Sequence, residues 1–325
     1  MTTTLDVHLE DAAATAAVLV ADIRAAARRF GRLGAVVAVS GGIDSAVCLG
    51  LAARALGPAR TVAIALPDKE SDPVSARLGA EVAGLFGVEF VVRDITDALD
   101  ALGCYADRLA VVRRLSPGFD PAAGDAFSVE FVPAKGEGAR LQSFVLTVVR
   151  GGVTTRRRLG GRDFLTIMAA TNQKQRLRML SAYRVADERN LLVVGTSNRL
   201  EIDQGFFVKH GDGCGEVFPL RYLLKSQVYD LGAHLGVPES IRRRPPTTDT
   251  FSAPQSQEEY FYGTSVETGD ALWLAYHDGV TEDRAATATG LTAEDVGKFF
   301  GLYSRRSHYA GYLTATIPPD SRDAR

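Results

Sequence analysis

The sequence predicts an α/β fold built on a doubly wound parallel sheet, and three observations carry that prediction. Apolar runs of strand length occupy 36–39, 61–67, 88–95 and 191–196. They are near-continuous rather than alternating, which marks strands buried on both faces. Helical patterns separate the first three runs, giving a βαβαβ alternation with right-handed crossovers. The runs also end in small or polar residues, and ligands in such sheets sit beyond the carboxyl ends of the strands.

Taken in order, 9–30 reads as an amphipathic helix with Val18, Leu19 and Ile23 inward and an Arg-rich C-terminal end. The run Val36-Val37-Ala38-Val39 is the first strand. It empties into Ser40-Gly41-Gly42, and a helix starts near Asp44 and Ser45, running through Val47, Leu49 and Leu51. The run 61–67 is the second strand, 71–85 a helix, 88–95 the third strand and 191–196 the fourth. The stretch 127–158 has another texture: apolar and polar residues alternate between Gly-containing turns, predicting three short antiparallel strands. We read the chain, 1–325, as one domain carrying this meander as an insertion.

Bulk properties narrow the function classes. A hydrophobic content of 46% and a charged content of 23% are those of an ordinary globular protein. A formal charge of −2 makes no whole-chain case for nucleic-acid binding. No apolar run approaches the ~20 residues needed to span a bilayer, and acidic residues precede the first apolar segment, unlike a signal peptide. Cys48, Cys104 and Cys214 lie at no metal-ligand spacing and fit a reducing compartment. A cytoplasmic location is expected, with Cys48 as packing.

The candidate chemistry begins at Ser40-Gly41-Gly42-Ile43-Asp44-Ser45. Glycines here let an anion approach the backbone, and the helix N-terminus behind them adds roughly half a positive charge. The Walker pattern is absent, and an acidic residue, Asp44, stands where its Lys would bring positive charge, which points to a metal-bridged polyphosphate. On the helix from Asn172, the spacing sets Asn172, Arg176 and Met179 on one face, with Arg178 pointing elsewhere as a surface ion pair or a functional group. Gly195–Glu201 and 205–213 are dense in glycine and polar residues just after a buried strand, a composition suited to a site. Asp44 and Glu201, at neighbouring strand ends, could both reach one Mg²⁺; alternatively Glu201 complements a helix dipole.

The Ser-Gly-Gly-Ile-Asp-Ser loop resembles the signature of the ATP pyrophosphatase superfamily, whose members cleave ATP to AMP and pyrophosphate. The further motifs resemble the ammonia-dependent NAD synthetases. The family pattern N-x-x-A-R-x-R-M matches 172–179 with Gln175 for Ala, and G-T-x-N-x-x-E matches 195–201. The pattern G-[YF]-x-T-K-[YH]-G-D-G matches 205–213 with Val208 for Thr, and Lys225 and Pro246-Thr247 match as well. The resemblance covers roughly 30–255 and implies an adenine nucleotide alpha-hydrolase-like fold.

It also implies roles. Ser40, Gly41, Gly42, Asp44, Ser45, Thr196 and Lys225 would hold ATP, and Asp44 and Glu201 would bind Mg²⁺. Asn172, Arg176, Lys209 and Asp212 would face the acceptor. Lys225 and Thr247 would contact phosphates during adenylation, with Asp44 among the catalytic groups. The implied reaction is adenylation of deamido-NAD followed by attack of ammonia to give NAD, in a homodimer, with any glutamine-derived ammonia supplied by a separate glutaminase polypeptide.

The chain departs from the pattern in three places: the 249–262 stretch, the meander, and Arg199-Leu200. All three touch the acceptor half, so a paralogue amidating another carboxylic acid is the alternative expectation. The aromatic 273–276 and 299–312 regions suit a subunit contact or a core.

Overall fold

A computed structural model describes residues 5–132, 143–245, 250–253 and 263–315 of the chain. Thr247 and most of the 249–262 stretch lie outside the described residues. The first helix, α1 (Ala12–Arg29), starts where the Asp11 carboxylate accepts the Ala14 N–H at 2.9 Å. Its buried stripe is Ala16, Val20, Ile23 and Ala27, at steps of three and four. Ile23 is inward as expected and Leu19 packs partly, but Val18 is 60% exposed. Val18 lies five residues before Ile23, which is too far round the helix to share its face.

The central sheet joins β1 (Gly34–Ala38), β2 (Thr61–Ala65), β3 (Glu89–Val92) and β7 (Leu191–Val194) in the order β3-β2-β1-β7, all parallel. Both faces are covered, and alternate residues divide between them. Ala35, Val37, Ala63, Ala65, Leu192 and Val194 pack on the side of α1, α2 (Ile43–Leu56), α3 (Pro73–Phe86) and α8 (Lys225–Leu235). Val36, Val62, Ile64, Leu191 and Val193 face α4 (Thr96–Ala101), α5 (Cys104–Leu115) and α6 (Gly161–Arg189). Cys48 is fully buried in the first of these layers, a packing role as expected. β3, one of the two edge strands, is shorter and more exposed than its apolar run suggests.

The strand order gives β1 one neighbour that follows it directly and another, β7, that returns from far along the chain. Between their carboxyl ends the helices diverge to opposite faces, leaving the crevice where ligands bind in doubly wound sheets.

The expected meander forms as a separate antiparallel sheet of β4 (Ala126–Val132), β5 (Ser143–Arg150) and β6 (Val153–Arg158). Its inner residues Phe127, Val129, Leu146 and Val148 pack on Val111 and Val112 of α5 and Ile167 of α6. β6 is the open edge of this sheet and is exposed along its whole length, including Arg156, Arg157 and Arg158. α9 (Glu239–Arg242) joins the sheet layer through Ile241, and a further cluster collects α7 (Arg199–Asp203), α10 (Val266–His277), α11 (Glu282–Thr289) and α12 (Ala293–Thr314). Trp273 and Tyr303 are buried in that cluster with Tyr276, Phe299 and Phe300 against them, so most of these aromatics form core, while Tyr309 and Tyr312 are exposed. No helix among the described residues is long and apolar enough to cross a membrane.

Ile64 is fully buried at the centre of the parallel sheet. Ile64→Ala is expected to lower the unfolding free energy by about 2–5 kcal/mol, read as a reduced urea midpoint with an unchanged slope.

Candidate active site

A cavity of about 800 Å³ opens over the carboxyl ends of β1 and β7. Its floor is the loop that leaves β1. Gly41 adopts φ +72°, and a Cβ there would fall 2.6 Å from the Ser75 carbonyl oxygen, so only glycine lets this loop lie against α3. Ser45 Oγ donates to the Gly42 carbonyl at 2.9 Å and accepts the Ser40 N–H at 3.3 Å, which ties the loop to the first turn of α2. The N-cap, Gly42, offers no side-chain acceptor, so the N-terminal N–H groups of α2 have no side-chain cap.

Above the loop stands a charged pair. Lys225 is the first residue of α8 and its ammonium bonds Asp44 Oδ2; the two side chains are 1% and 17% exposed. Asp44 Oδ1 also accepts from Asn198 Nδ2 at 3.3 Å. Burial works against a charge on Lys225, but the carboxylates of Asp44 and Glu201 override it and hold its ammonium above the ordinary lysine range. α8 is anchored by Asp270 of α10, fully buried, whose carboxylate accepts the Ser226 N–H at 2.7 Å and the Lys225 N–H at 3.4 Å. Nothing in the local sequence marks Asp270 as this cap.

Glu201 plays both parts considered for it. It completes a capping box on α7, accepting the Asn198 N–H at 3.0 Å while Asn198 Oδ1 accepts the Glu201 N–H at 3.1 Å. It also lines the cavity with Asp44 and Thr196. Burial first, then the nearby Asp44 carboxylate, push its carboxyl up to about 8.

On the opposite wall, α6 contributes Phe164, Met168, Asn172, Gln175, Arg178 and Met179. Asn172 and Met179 share the cavity face as expected. The two arginines exchange places relative to expectation. Arg176 is one residue, about 100° of helix, round from Gln175; it is exposed and its Nε donates to the Lys209 carbonyl at 3.2 Å. Arg178 faces the cavity, with Nη2 3.0 Å from Asp68 Oδ2 and Nε donating to the Leu66 carbonyl at 3.2 Å. Lys209 also lies outside the cavity wall. Its ammonium donates to the carbonyls of Tyr312 and Ala315 at 3.2 and 2.7 Å, where the end of α12 leaves acceptors unfilled and its dipole favours a cation. Asp212 lines the cavity as expected and accepts the Val208 N–H at 2.8 Å. Thr247 falls outside the described residues.

A buried charge cluster behind the α6 wall was not anticipated. Lys174 Nζ lies 3.1 Å from Asp68 Oδ1 and 2.7 Å from Glu70 Oε2, and Arg108 Nη1 lies 2.7 Å from the same Glu70 oxygen. Burial would raise Asp68, but Lys174 and Arg178 outweigh it and hold the carboxyl below its ordinary value. One signal was available: Asp68 and Glu70 follow the second strand at its carboxyl end. Arg244, from one of the two basic clusters, also reaches the cavity, bonding Asp72 Oδ2 and Ser75 Oγ at 2.9 and 3.2 Å. The meander supplies Phe144, stacked on Phe164 with ring centroids 3.4 Å apart.

Burial raises the Asp212 carboxyl from 3.8 to about 6, against the pull of the Val208 N–H. The native state therefore binds the proton more tightly than the unfolded chain, and stability falls as pH rises between those two values. Asp212→Asn keeps an oxygen for the Val208 N–H. It is expected to melt above the parent at neutral pH, with the gap closing toward pH ~4; a gap independent of pH in thermal denaturation would refute the shift.

The sequence profile of the NAD synthase family matches residues 15–110 and 154–310. The unmatched interval contains β4 and β5 entire. An NH(3)-dependent NAD(+) synthetase of Rhizobium meliloti (strain 1021) is 43% identical over 304 residues, covering 93% of this chain and 90% of that protein. One from Rhizobium rhizogenes (strain K84 / ATCC BAA-868) is 44% identical over 279 residues, covering 85% and 82%. Among solved structures, an NMN synthetase from Francisella tularensis shares the fold with a TM-score of 0.65 at 22% identity, over 95% of this chain and 99% of that one. An NH3-dependent NAD synthetase from Campylobacter jejuni subsp. jejuni NCTC 11168 does so with a TM-score of 0.61 at 18% identity, over 95% and 99%. With the profile spanning both sides of the insertion and two relatives above 40% identity along most of their length, the chain belongs to the NAD synthase family.

Proposed function

We propose that this protein is an ATP-dependent amide ligase that adenylates deamido-NAD and transfers ammonia to the activated carboxyl, releasing AMP and pyrophosphate and forming NAD. The observation that carries the reading is the meeting of Asp44, Lys225 and the N-terminus of α2 at the floor of the cavity. A carboxylate attacks the α-phosphorus of ATP, and negative charge grows on the phosphorane and pyrophosphate oxygens. The Gly41 backbone N–H, the N-terminus of α2, the Ser40 hydroxyl and the Lys225 ammonium supply positive potential there, while Ser45 ties the loop to α2. Thr196 contacts the nucleotide, while Asn172, Asp212 and Arg178 orient the acceptor. Thr247 is kept as a phosphate contact by family resemblance, and Arg176 and Lys209 are assigned to the outer rim. Ammonia then displaces AMP, a step that needs a held geometry more than a dedicated base.

The donor set fits Mg²⁺. Asp44 and Glu201 line one cavity, and Mg²⁺ is commonly held by one or two carboxylates with substrate phosphates and waters. Glu201 is buried beside the Asp44 carboxylate, and the two acidic groups share the Lys225 ammonium. When bound, Mg²⁺ neutralises charge on the departing pyrophosphate. We further infer a cytoplasmic homodimer that uses free ammonia or ammonia from a separate glutaminase.

Incubation with ATP, Mg²⁺, ammonium and deamido-NAD is expected to yield AMP, pyrophosphate and NAD in equal amounts. AMP formed only with another carboxylic acid would favour a paralogue of different acceptor, and no ATP cleavage with any acid would overturn the ligase reading. Lys225→Met is expected to lower kcat about 10²- to 10³-fold, with the circular dichroism of a folded chain at 25 °C and a lowered melting temperature because Asp44 loses its counter-charge. Pyrophosphate release at the parent rate would remove Lys225 from the mechanism.

A further inference from the structure

The C-terminal helical core meets the site at two backbone positions. Leu200, fully buried, and Leu224, 1% exposed, are planted in the cluster that holds Leu272, Trp273 and Tyr303. The residue after each is charged and lines the cavity: Glu201 follows Leu200, and Lys225 follows Leu224. The Arg199 N–H donates to the Leu223 carbonyl at 3.0 Å, so the two segments enter the core side by side.

Planting Leu224 there has a cost for α8. Leu224 is the N-cap and carries no acceptor, so its side chain answers none of the first N–H groups of the helix. A serine or an aspartate at 224 would cap the helix locally. The carboxylate comes instead from α10, 44 residues further along the chain. Asp270 is fully buried; its Oδ2 accepts the Ser226 N–H at 2.7 Å and its Oδ1 the Lys225 N–H at 3.4 Å. Burying a carboxylate in a helical core is costly, and the positive end of the α8 dipole offsets part of that cost. One of the two bonds is made to the backbone of Lys225 itself, so the place of α10 sets the point from which the Lys225 side chain leaves toward Asp44. Asp270 also lies outside the 30–255 stretch over which the motifs imply roles.

We propose that Asp270 is a positioning residue for Lys225, through which the C-terminal helices hold the ammonium at the cavity floor. It touches no reacting atom. It fixes the first turn of α8, and its effect on the reaction passes through Lys225. This rests on the ATP-dependent reading above, in which Lys225 stabilises charge on the departing pyrophosphate.

The test is a double-variant cycle. Asp270→Ala, Asp270→Asn, Lys225→Met and the combinations of each Asp270 change with Lys225→Met are compared with the parent. The measurements are kcat, the Kd of inorganic pyrophosphate with Mg²⁺, and the melting temperature. Asp270→Ala, assayed where it is fully folded, is expected to lower kcat about 10- to 100-fold. Asp270→Asn keeps an oxygen for the Ser226 N–H and loses about three- to tenfold. In the Lys225→Met background the same changes cost less than about twofold, because the group they position is gone. The pyrophosphate Kd rises about three- to tenfold on Asp270→Ala with Lys225 present and stays level without it. A folded Asp270→Ala with parental kcat and pyrophosphate Kd overturns the proposal. So does a loss of the same size in both backgrounds, which is what a role in stability alone produces. If an alanine variant does not fold, the Asp270→Asn cycle decides by the same criteria. Pyrophosphate binding needs no turnover, so a parent that fails to convert deamido-NAD refutes the acceptor assignment and leaves Asp270 to be judged on the Kd cycle.

Discussion

Asp44 and Lys225 open two helices whose first turns lie 181 residues apart in sequence, and their side chains meet at the cavity floor. A lysine this buried is tolerated only because a carboxylate answers it, and removing either partner leaves an uncompensated charge in a low dielectric. The pair therefore fixes where α8 can sit relative to α2, and the rest follows. Asp270 caps α8 so that Lys225 points down, Asn198 bonds the second oxygen of Asp44, and Asn198 in turn begins the helix that carries Glu201. The Ser-Gly-Gly loop, the lysine and the second carboxylate are thus one bonded unit drawn from three distant parts of the chain.

Much of this was legible. Apolar runs marked every strand of the parallel sheet: β1, β2 and β7 are covered on both faces and so are apolar at successive positions, β3 less fully so, and the period-two texture of 127–158 marked the meander. The Ser-Gly-Gly loop was readable since its glycines, helix start and acidic residue are contiguous. What failed depended on the phase of a helix against a partner elsewhere. Local spacing groups Asn172 with Met179 but does not say which flank of α6 faces the cavity; Asp68, 110 residues upstream, decides in favour of Arg178. Lys209 lies off the cavity wall because the carbonyls that draw it belong to the end of α12, more than a hundred residues on. Val18 is apolar yet exposed, which composition alone does not forbid.

The interval skipped by the family profile is also where the fold adds a core of its own. Phe119, Phe127, Leu146 and Phe251 are gathered from β4, β5 and two loops onto α5 and α6, and the buried cluster of Arg108, Glu70, Lys174 and Asp68 links that core to Arg178 in the cavity wall. The insertion is therefore mechanically continuous with the site.

The open edge of that insertion has its own consequence. β6 presents a full row of backbone groups to water beside a sheet that could extend, a geometry that invites strand addition from another molecule. Three successive arginines occupy its end, with Arg156 tethered to Glu130 of β4 across the sheet. A second copy approaching edge to edge would bring the same triplet against it, and like charges facing across a ladder repel. The run of arginines therefore disfavours pairing of two copies along this edge in particular, through like-charge repulsion.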